Sequence, residues 1–176
     1  RLQAAGVSWR VYQNMPSNYT DNALVGFKQY RKANIDSGKP VYHNWSDGYV
    51  APAWKPADDA VAPLYKGIAN TMPDGGLLGS LKDDILQNRL PQVSWIIAPE
   101  TYSEHPGPSS PVQGGWYTQE VLDALTANPE VWSKTVLIVN FDENDGYFDH
   151  LPPPCAPSLL ADGSEAGKTT MTASQV

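Results

Sequence analysis

Two uninterrupted apolar runs constrain the fold of this chain more than any other feature. Gln92-Val93-Ser94-Trp95-Ile96-Ile97-Ala98 and Lys134-Thr135-Val136-Leu137-Ile138-Val139-Asn140-Phe141 are rich in β-branched and aromatic residues, and each follows a stretch with helical spacing. The second run lacks the alternation of a half-solvated strand, so it reads as a strand buried on both faces, the kind found in parallel sheets covered by helices. A third strand, Val7-Ser8-Trp9-Arg10-Val11-Tyr12, follows a helix end at residues 2–5 that Gly6 closes.

The helices come from periodicity. Thr20-Asp21 offers an N-cap before Ala23, Leu24, Phe27, Tyr30 and Arg31, spaced by threes and fours on one face that ends near Ala33. Leu77, Leu78, Leu81, Ile85 and Leu86 repeat the pattern, and Asn88-Arg89-Leu90-Pro91 ends it. Residues 118–125 form a third candidate, halted by Asn128-Pro129. Strands interleaved with helices predict an α/β fold with a mostly parallel sheet flanked by helices. Residues 34–63, dense in Pro, Gly, Asp and Trp, read as a long loop, and residues 152–176 as an irregular tail.

At 176 residues the chain is one domain's worth of sequence. Twelve Lys and Arg against nineteen Asp and Glu leave a net charge of −7, which argues against a nucleic-acid partner. No stretch approaches the roughly 18 apolar residues of a membrane span. The lone Cys155 follows three prolines and is expected at the surface.

Ligands of parallel sheets gather at the carboxyl ends of the strands. Here the run ending at Ala98 leads into Pro99-Glu100-Thr101-Tyr102-Ser103-Glu104-His105-Pro106, and the run ending at Phe141 leads into Asp142-Glu143-Asn144-Asp145-Gly146-Tyr147-Phe148-Asp149-His150. If the strands are parallel, both clusters lie at one edge. Four carboxylates within nine residues repel one another unless a counter-ion is present, and a divalent metal would supply it; oxygen donors suit Mg, Ca or Mn, and a nearby His also admits Zn or Fe. The competing reading is a solvated turn rich in Asp, Asn and Gly. For His43 and His105, a plain loop histidine is the corresponding alternative. Trp9, Trp95 and Trp132 are expected in the core, whereas Trp45, Trp54 and Trp116 are expected in loops that could line a cleft. Residues 163–169 imitate a phosphate loop but are one spacer short and follow no strand. The Asp142 segment has the wrong glycine position for an EF-hand.

Asp142-Glu143-x-x-Gly146-x-x-Asp149-His150 resembles the signature of the bacterial and plant phosphatidylcholine-type phospholipase C family, which includes a branch of acid phosphatases. Further likeness lies in Ala5-Gly6-Val7-Ser8-Trp9-Arg10-Val11-Tyr12-Gln13, Asp21-Asn22-Ala23-Leu24, Val93-Ser94-Trp95-Ile96, Ser103-Glu104-His105-Pro106, Trp132-Ser133-Lys134-Thr135-Val136-Leu137 and Asp149-His150-Leu151-Pro152-Pro153-Pro154, so it covers nearly the whole chain. The resemblance implies an alkaline-phosphatase-like α/β core. It implies Asp142 and Glu143 as a metal-binding pair for a divalent ion, and a catalytic place for His105, with Glu104 beside it, facing the phosphate or leaving group. Asp149 and His150 would brace the loop that presents Asp142, with direct metal binding as the alternative. The substrate implied is a phospholipid, phosphatidylcholine with sphingomyelin as a further candidate, met transiently at a membrane surface by an exported, secreted or periplasmic protein. Tyr42, Trp45 and Trp54 are candidates for a quaternary-ammonium site.

The family's upstream Glu-Asn motif, its upstream Thr or Ser nucleophile and its downstream Gly-x-Arg-Val-Pro segment are not found among these residues. Residues 1–176 are therefore expected to be an internal part of a phosphoesterase catalytic domain, with little or no turnover alone. An acid phosphatase acting on phosphomonoesters and a non-catalytic metal-binding fragment are the competing functions.

Overall fold

The computed structural model describes residues 1–18, 21–44, 48–143, 150–151, 154–166 and 170–171, with backbone only at 43, 44 and 49. It divides into two units, Arg1–Leu137 and Ile138–Val176, described in turn.

In the first unit, strand β1 (Trp9–Tyr12) is entered from a 3-10 turn, Gln3–Ala5, closed by Gly6 at φ 70° with its N–H on the Gln3 carbonyl. A left-handed φ at this point is why a glycine ends the turn. The next two strands, β2 (Tyr42–Asn44) and β3 (Gly48–Val50), form an antiparallel hairpin inside the region expected to be loop. Strand β4 (Val93–Ile96) pairs parallel with β1, Trp9 beside Val93 and Tyr12 beside Ile96. Parallel pairing demands a long crossover, and residues 13–92 supply it.

One face of the β1–β4 pair carries Tyr12 and Ile96 into a core built with two helices. The first helix of the chain, α1 (Lys28–Asp36), lies outside this core. The two that cover the face are α2 (Gly79–Leu86) and α3 (Pro111–Thr126), through Leu81 and Ile85 of one and Tyr117, Val121, Ala124 and Leu125 of the other. The i, i+4 spacing of these residues places them on one stripe of each helix, and full burial of each large side chain contributes roughly 1.5–3 kcal/mol. The Asn128 side chain caps the short α4 (Pro129–Trp132) by accepting from the Glu130 and Val131 N–H groups, and its amide donates to the Ile85 carbonyl at 2.8 Å, tying α4 to the end of α2. A second cluster, Ala33, Ala62, Tyr65, Ile68 and Ala69, packs α1 against the turns that follow the hairpin.

The α/β expectation holds, with a parallel pair flanked by helices. Some segment boundaries and pairings differ from expectation. The segment after Thr20 is not one helix: Asn22 caps a 3-10 turn, Ala23–Gly26, Phe27 is extended, and α1 starts at Lys28. Helix α3 begins seven residues before Thr118, because Ser110-Pro111 is a good helix start and the Gly114-Gly115 pair is absorbed within the helix. Residues 135–141 lie in no strand, and Val136, Ile138, Val139 and Phe141 are exposed, at 84%, 79%, 56% and 65%. A run that is apolar on both faces becomes a strand only when neighbouring strands and covering helices take up both faces, and among the described residues none pairs with it. Leu137 alone of the apolar side chains in this run packs on the first core.

The other face of β1 and β4 presents Trp9, Val11, Val93 and Trp95 to an apolar cavity of about 370 Å³ that Leu24, Tyr30 and Leu64 complete. Trp9 is buried, but Trp95 is 67% exposed and Trp132 is 37% exposed, contrary to the core places expected for them.

In the second unit, β5 (Ser158–Leu159) and β6 (Glu165–Ala166) form a small antiparallel hairpin, and Cys155 is exposed as expected. Hydrogen bonds from Ser164 hold the Asp162 carboxyl below its usual range. No helix among the described residues is long and apolar enough to cross a membrane.

Candidate active site

Beyond β4 the chain passes through a 3-10 turn, Glu100–Tyr102, into residues 103–110 and then α3, so the His105 segment does sit at the carboxyl end of a parallel strand. This loop is tied by its own hydroxyls. The Ser103 Oγ donates to the Glu100 carbonyl at 2.9 Å and accepts from the His105 N–H at 3.2 Å. The Ser109 Oγ accepts from the Glu104 N–H at 3.0 Å, while the Ser109 N–H donates to the His105 carbonyl at 3.1 Å.

The His105 ring is exposed, with Nδ1 2.9 Å from the Pro106 carbonyl oxygen. A carbonyl only accepts, so this contact assigns the proton to Nδ1. A ring oriented through one nitrogen suits a general acid or base.

Glu104, next to it, has a φ of 68°. For a non-glycine residue the left-handed region costs roughly 1–2 kcal/mol, and such residues persist where the surroundings hold them. Tyr102 stacks on Tyr117 of α3 at 5.5 Å between ring centres and meets Trp116 at 5.0 Å. Trp116 is thus a helix residue rather than a loop residue, and half-exposed beside the histidine-bearing segment. Burial pushes the Tyr117 phenol well up, and its hydroxyl donates to the Gly76 carbonyl at 2.7 Å.

The acidic candidates belong to the second unit. Asp142 and Glu143 are exposed, and Asp142 Oδ1 accepts the Glu143 N–H at 3.0 Å, an arrangement that turns the backbone and leaves the remaining carboxylate oxygens outward. Hard oxygen donors of this kind fit a divalent cation, although two side chains fill only part of the roughly 6–8 positions that a calcium-like ion takes. Among the described residues no three His, Cys, Asp or Glu side chains converge as a metal site. His150 is exposed in the same unit. Gly146 and Asp149 of the signature lie outside the described residues, as do Trp45 and the side chain of His43.

Of the aromatic candidates, Tyr42 is exposed on β2. Trp54 is half-buried: the Arg10 guanidinium covers one face of its ring at 4.2 Å, and its indole N–H donates to Asp59 Oδ1 at 3.1 Å. One ring face is therefore already occupied by a cation of the protein itself. The apolar cavity on the far side of the sheet is lined by neither Glu104 nor His105.

The sequence reading missed Ser109, whose hydroxyl and amide close the loop.

A parallel strand pair with helices and a histidine-bearing loop at its carboxyl end defines part of an α/β core. The phosphoesterase family model matches residues 1–175, and the chain belongs to that family. Family and fold together are consistent with an alkaline-phosphatase-like α/β core, of which this chain holds a part. It is 55% identical over 173 residues to a non-hemolytic phospholipase C of Pseudomonas aeruginosa, covering 98% of this chain and 21% of that protein. It is 40% identical over 180 residues to a non-hemolytic phospholipase C of Burkholderia pseudomallei, covering 92% and 22%. Phospholipase C B of Mycobacterium tuberculosis is 37% identical over 157 residues, covering 89% and 25%. The chain thus spans about a fifth to a quarter of the length of these relatives.

Proposed function

We propose that this chain is an internal part of a phospholipase C, a phosphoric diester hydrolase acting on phosphatidylcholine-type lipids, with sphingomyelin as a second substrate. The observation that carries the reading is 55% identity across 98% of the chain to a protein named phospholipase C. The names of the relatives favour this over the acid-phosphatase branch.

In this reading His105 protonates the diacylglycerol oxygen as its bond to phosphorus breaks. The Pro106 carbonyl on Nδ1 orients the ring, so that the proton given up is the one on Nε2 of the imidazolium. Glu104 acts beside it, and the first section of α3 backs the loop that carries both. Asp142 and Glu143 would hold a divalent metal through their carboxylate oxygens, and Asp149 and His150 would brace the loop that presents Asp142. The metal supplies charge neutralisation on the phosphate oxygens. The attacking group comes from residues beyond this chain. Contact with lipid is transient and at the membrane surface, and an exported location accords with that substrate.

The test is a chimera in which this chain replaces the matching segment of the Pseudomonas relative. Metal-dependent hydrolysis of p-nitrophenyl phosphorylcholine is expected, falling by about 10³-fold or more in Asp142→Ala and about 10²-fold in His105→Ala. A folded chimera whose Asp142→Ala and His105→Ala forms keep full activity would overturn the site, and one active only on phosphomonoesters would move the protein to the phosphatase branch.

A further inference from the structure

Glu104 combines two features that together need explaining. Its backbone is left-handed, with φ 68°, although it carries a long side chain. Among the described residues its carboxylate has no hydrogen-bond partner to offset the strain, so something else holds it. The side chain lies flat against the backbone of α3 at Gly114: a Cβ placed on Gly114 would overlap Cγ, Cδ and Oε1 of Glu104 together. Gly114 is buried and helical, so left-handed freedom is not why a glycine stands there. Its neighbour Gly115 has nothing within 4 Å of where a Cβ would point. Two adjacent glycines in one helix therefore differ sharply: one is a contact surface, the other is open. Glycine weakens a helix interior, and only at Gly114 does packing repay the loss.

We propose that Gly114 is a positioning residue for His105: its bare Cα is the seat of the Glu104 side chain, and the seated side chain fixes the left-handed turn that presents the histidine. The chain of contacts is short. Glu104 on Gly114 anchors residue 104 to the first turns of α3. The Glu104 N–H on Ser109 and the Ser109 N–H on the His105 carbonyl then close the loop, and the ring is left with Nδ1 on Pro106. A carboxylate against the first turns of a helix is also favoured by the helix dipole. An alanine at 114 expels the Glu104 side chain, and the turn relaxes toward ordinary negative φ, carrying His105 off its bond to Pro106. The consequence for catalysis rests on the hydrolase reading; the seat itself does not.

The experiment uses the 176-residue chain with ¹⁵N-labelled histidine, the His105 signals being assigned by their loss in His105→Gln. The wild-type ring is expected to show the proton on Nδ1 in its neutral form. Gly114→Ala is expected to lose that signature and to lower Tm, whereas Gly115→Ala keeps it and raises Tm. Glu104→Gln, which fills the same seat without charge, keeps the signature. Glu104→Gly with Gly114→Ala removes the overlap and the strain at once, so the pair is expected to regain the Nδ1 proton and to melt above Gly114→Ala alone. If Gly114→Ala does not fold, this double variant decides. An unchanged tautomer in Gly114→Ala, or a double variant that is no better than the single one, overturns the proposal. In the chimera, Gly114→Ala is expected to lower kcat by about 10–100-fold with KM nearly unchanged. An inactive parent chimera would count against the hydrolase reading alone, because the tautomer measurement needs no turnover.

Discussion

The Tyr12 hydroxyl donates to Asp84 Oδ2 at 2.7 Å inside the core, joining the end of β1 to the middle of α2. Arg10, two residues earlier on the same face of the strand, pairs with the same carboxylate oxygen, and Arg89 reaches the other oxygen at 3.4 Å. Burial pushes the Tyr12 phenol far up, Arg10 draws it partly back, and the bond to Asp84 raises it further, so it stays a donor.

Removing the acceptor strands a mostly buried guanidinium. Asp84→Ala is expected to cost about 3–5 kcal/mol in urea unfolding, against about 1 kcal/mol for Tyr12→Phe, which leaves the ion pair intact. Equal losses from the two substitutions would show that the ion pair adds nothing to the joint.

Asp58 predicts a pH dependence. Burial raises its pKa, but the Lys39 ammonium at 2.6 Å and the Lys55 N–H at 2.7 Å outweigh that and hold the carboxyl below its ordinary value. A folded-state value below the unfolded one means stability present at neutral pH and lost as pH falls through the folded value. Asp58→Asn should therefore be less stable than wild type at pH 7, and the gap should close as pH falls through and below the ordinary carboxylate range. Parallel denaturation curves from neutral to acid pH measure this, and a gap that stays constant contradicts it.

Two glycines predict opposite signs. Gly115→Ala, in an open stretch of α3, should stabilise by up to about 1 kcal/mol. Gly67→Ala places a Cβ 2.6 Å from Tyr30 Cε1 and 3.2 Å from Leu24 Cδ1, and should destabilise by about 1–3 kcal/mol through displacement of the Tyr30 ring. Thermal melts of the two variants beside wild type give the signs directly.

The exposed run at residues 136–141 carries the clearest association risk of the chain. Ile138→Lys with Phe141→Lys should keep the 176-residue chain monomeric to higher concentration in sedimentation. If the run pairs with further strands in the chimera, the same pair should lower its Tm by several degrees because a charge would be buried there. An unchanged chimera Tm would show that the run is a solvated loop in the longer protein as well.

Much of the architecture was legible because it depends on local pattern. The strand residues around Trp9 and Trp95, the helix carrying Leu81 and Ile85, and the helix ended by Asn128-Pro129 follow from periodicity and stop signals. The location of Glu104 and His105 after β4 was equally legible, because the polar cluster directly follows an apolar strand in the chain. Helix α3 started early and the segment at Ala23 broke in two because caps and packing, rather than period, set those boundaries.

By itself the sequence determined which segments are apolar on one face, where the polar clusters fall along the chain, and that the chain belongs with α/β phosphoesterases. Tertiary structure alone decided what those segments do with their apolar faces. Trp9 and Trp95 sit on neighbouring strands in the same orientation, yet one is buried and the other 67% exposed, since burial depends on what is packed above. The run at 136–141 has strand composition but no pairing among the described residues, since a ladder needs a second strand to accept its hydrogen bonds. And only in three dimensions does Gly114, ten residues from Glu104, become the surface on which that side chain rests.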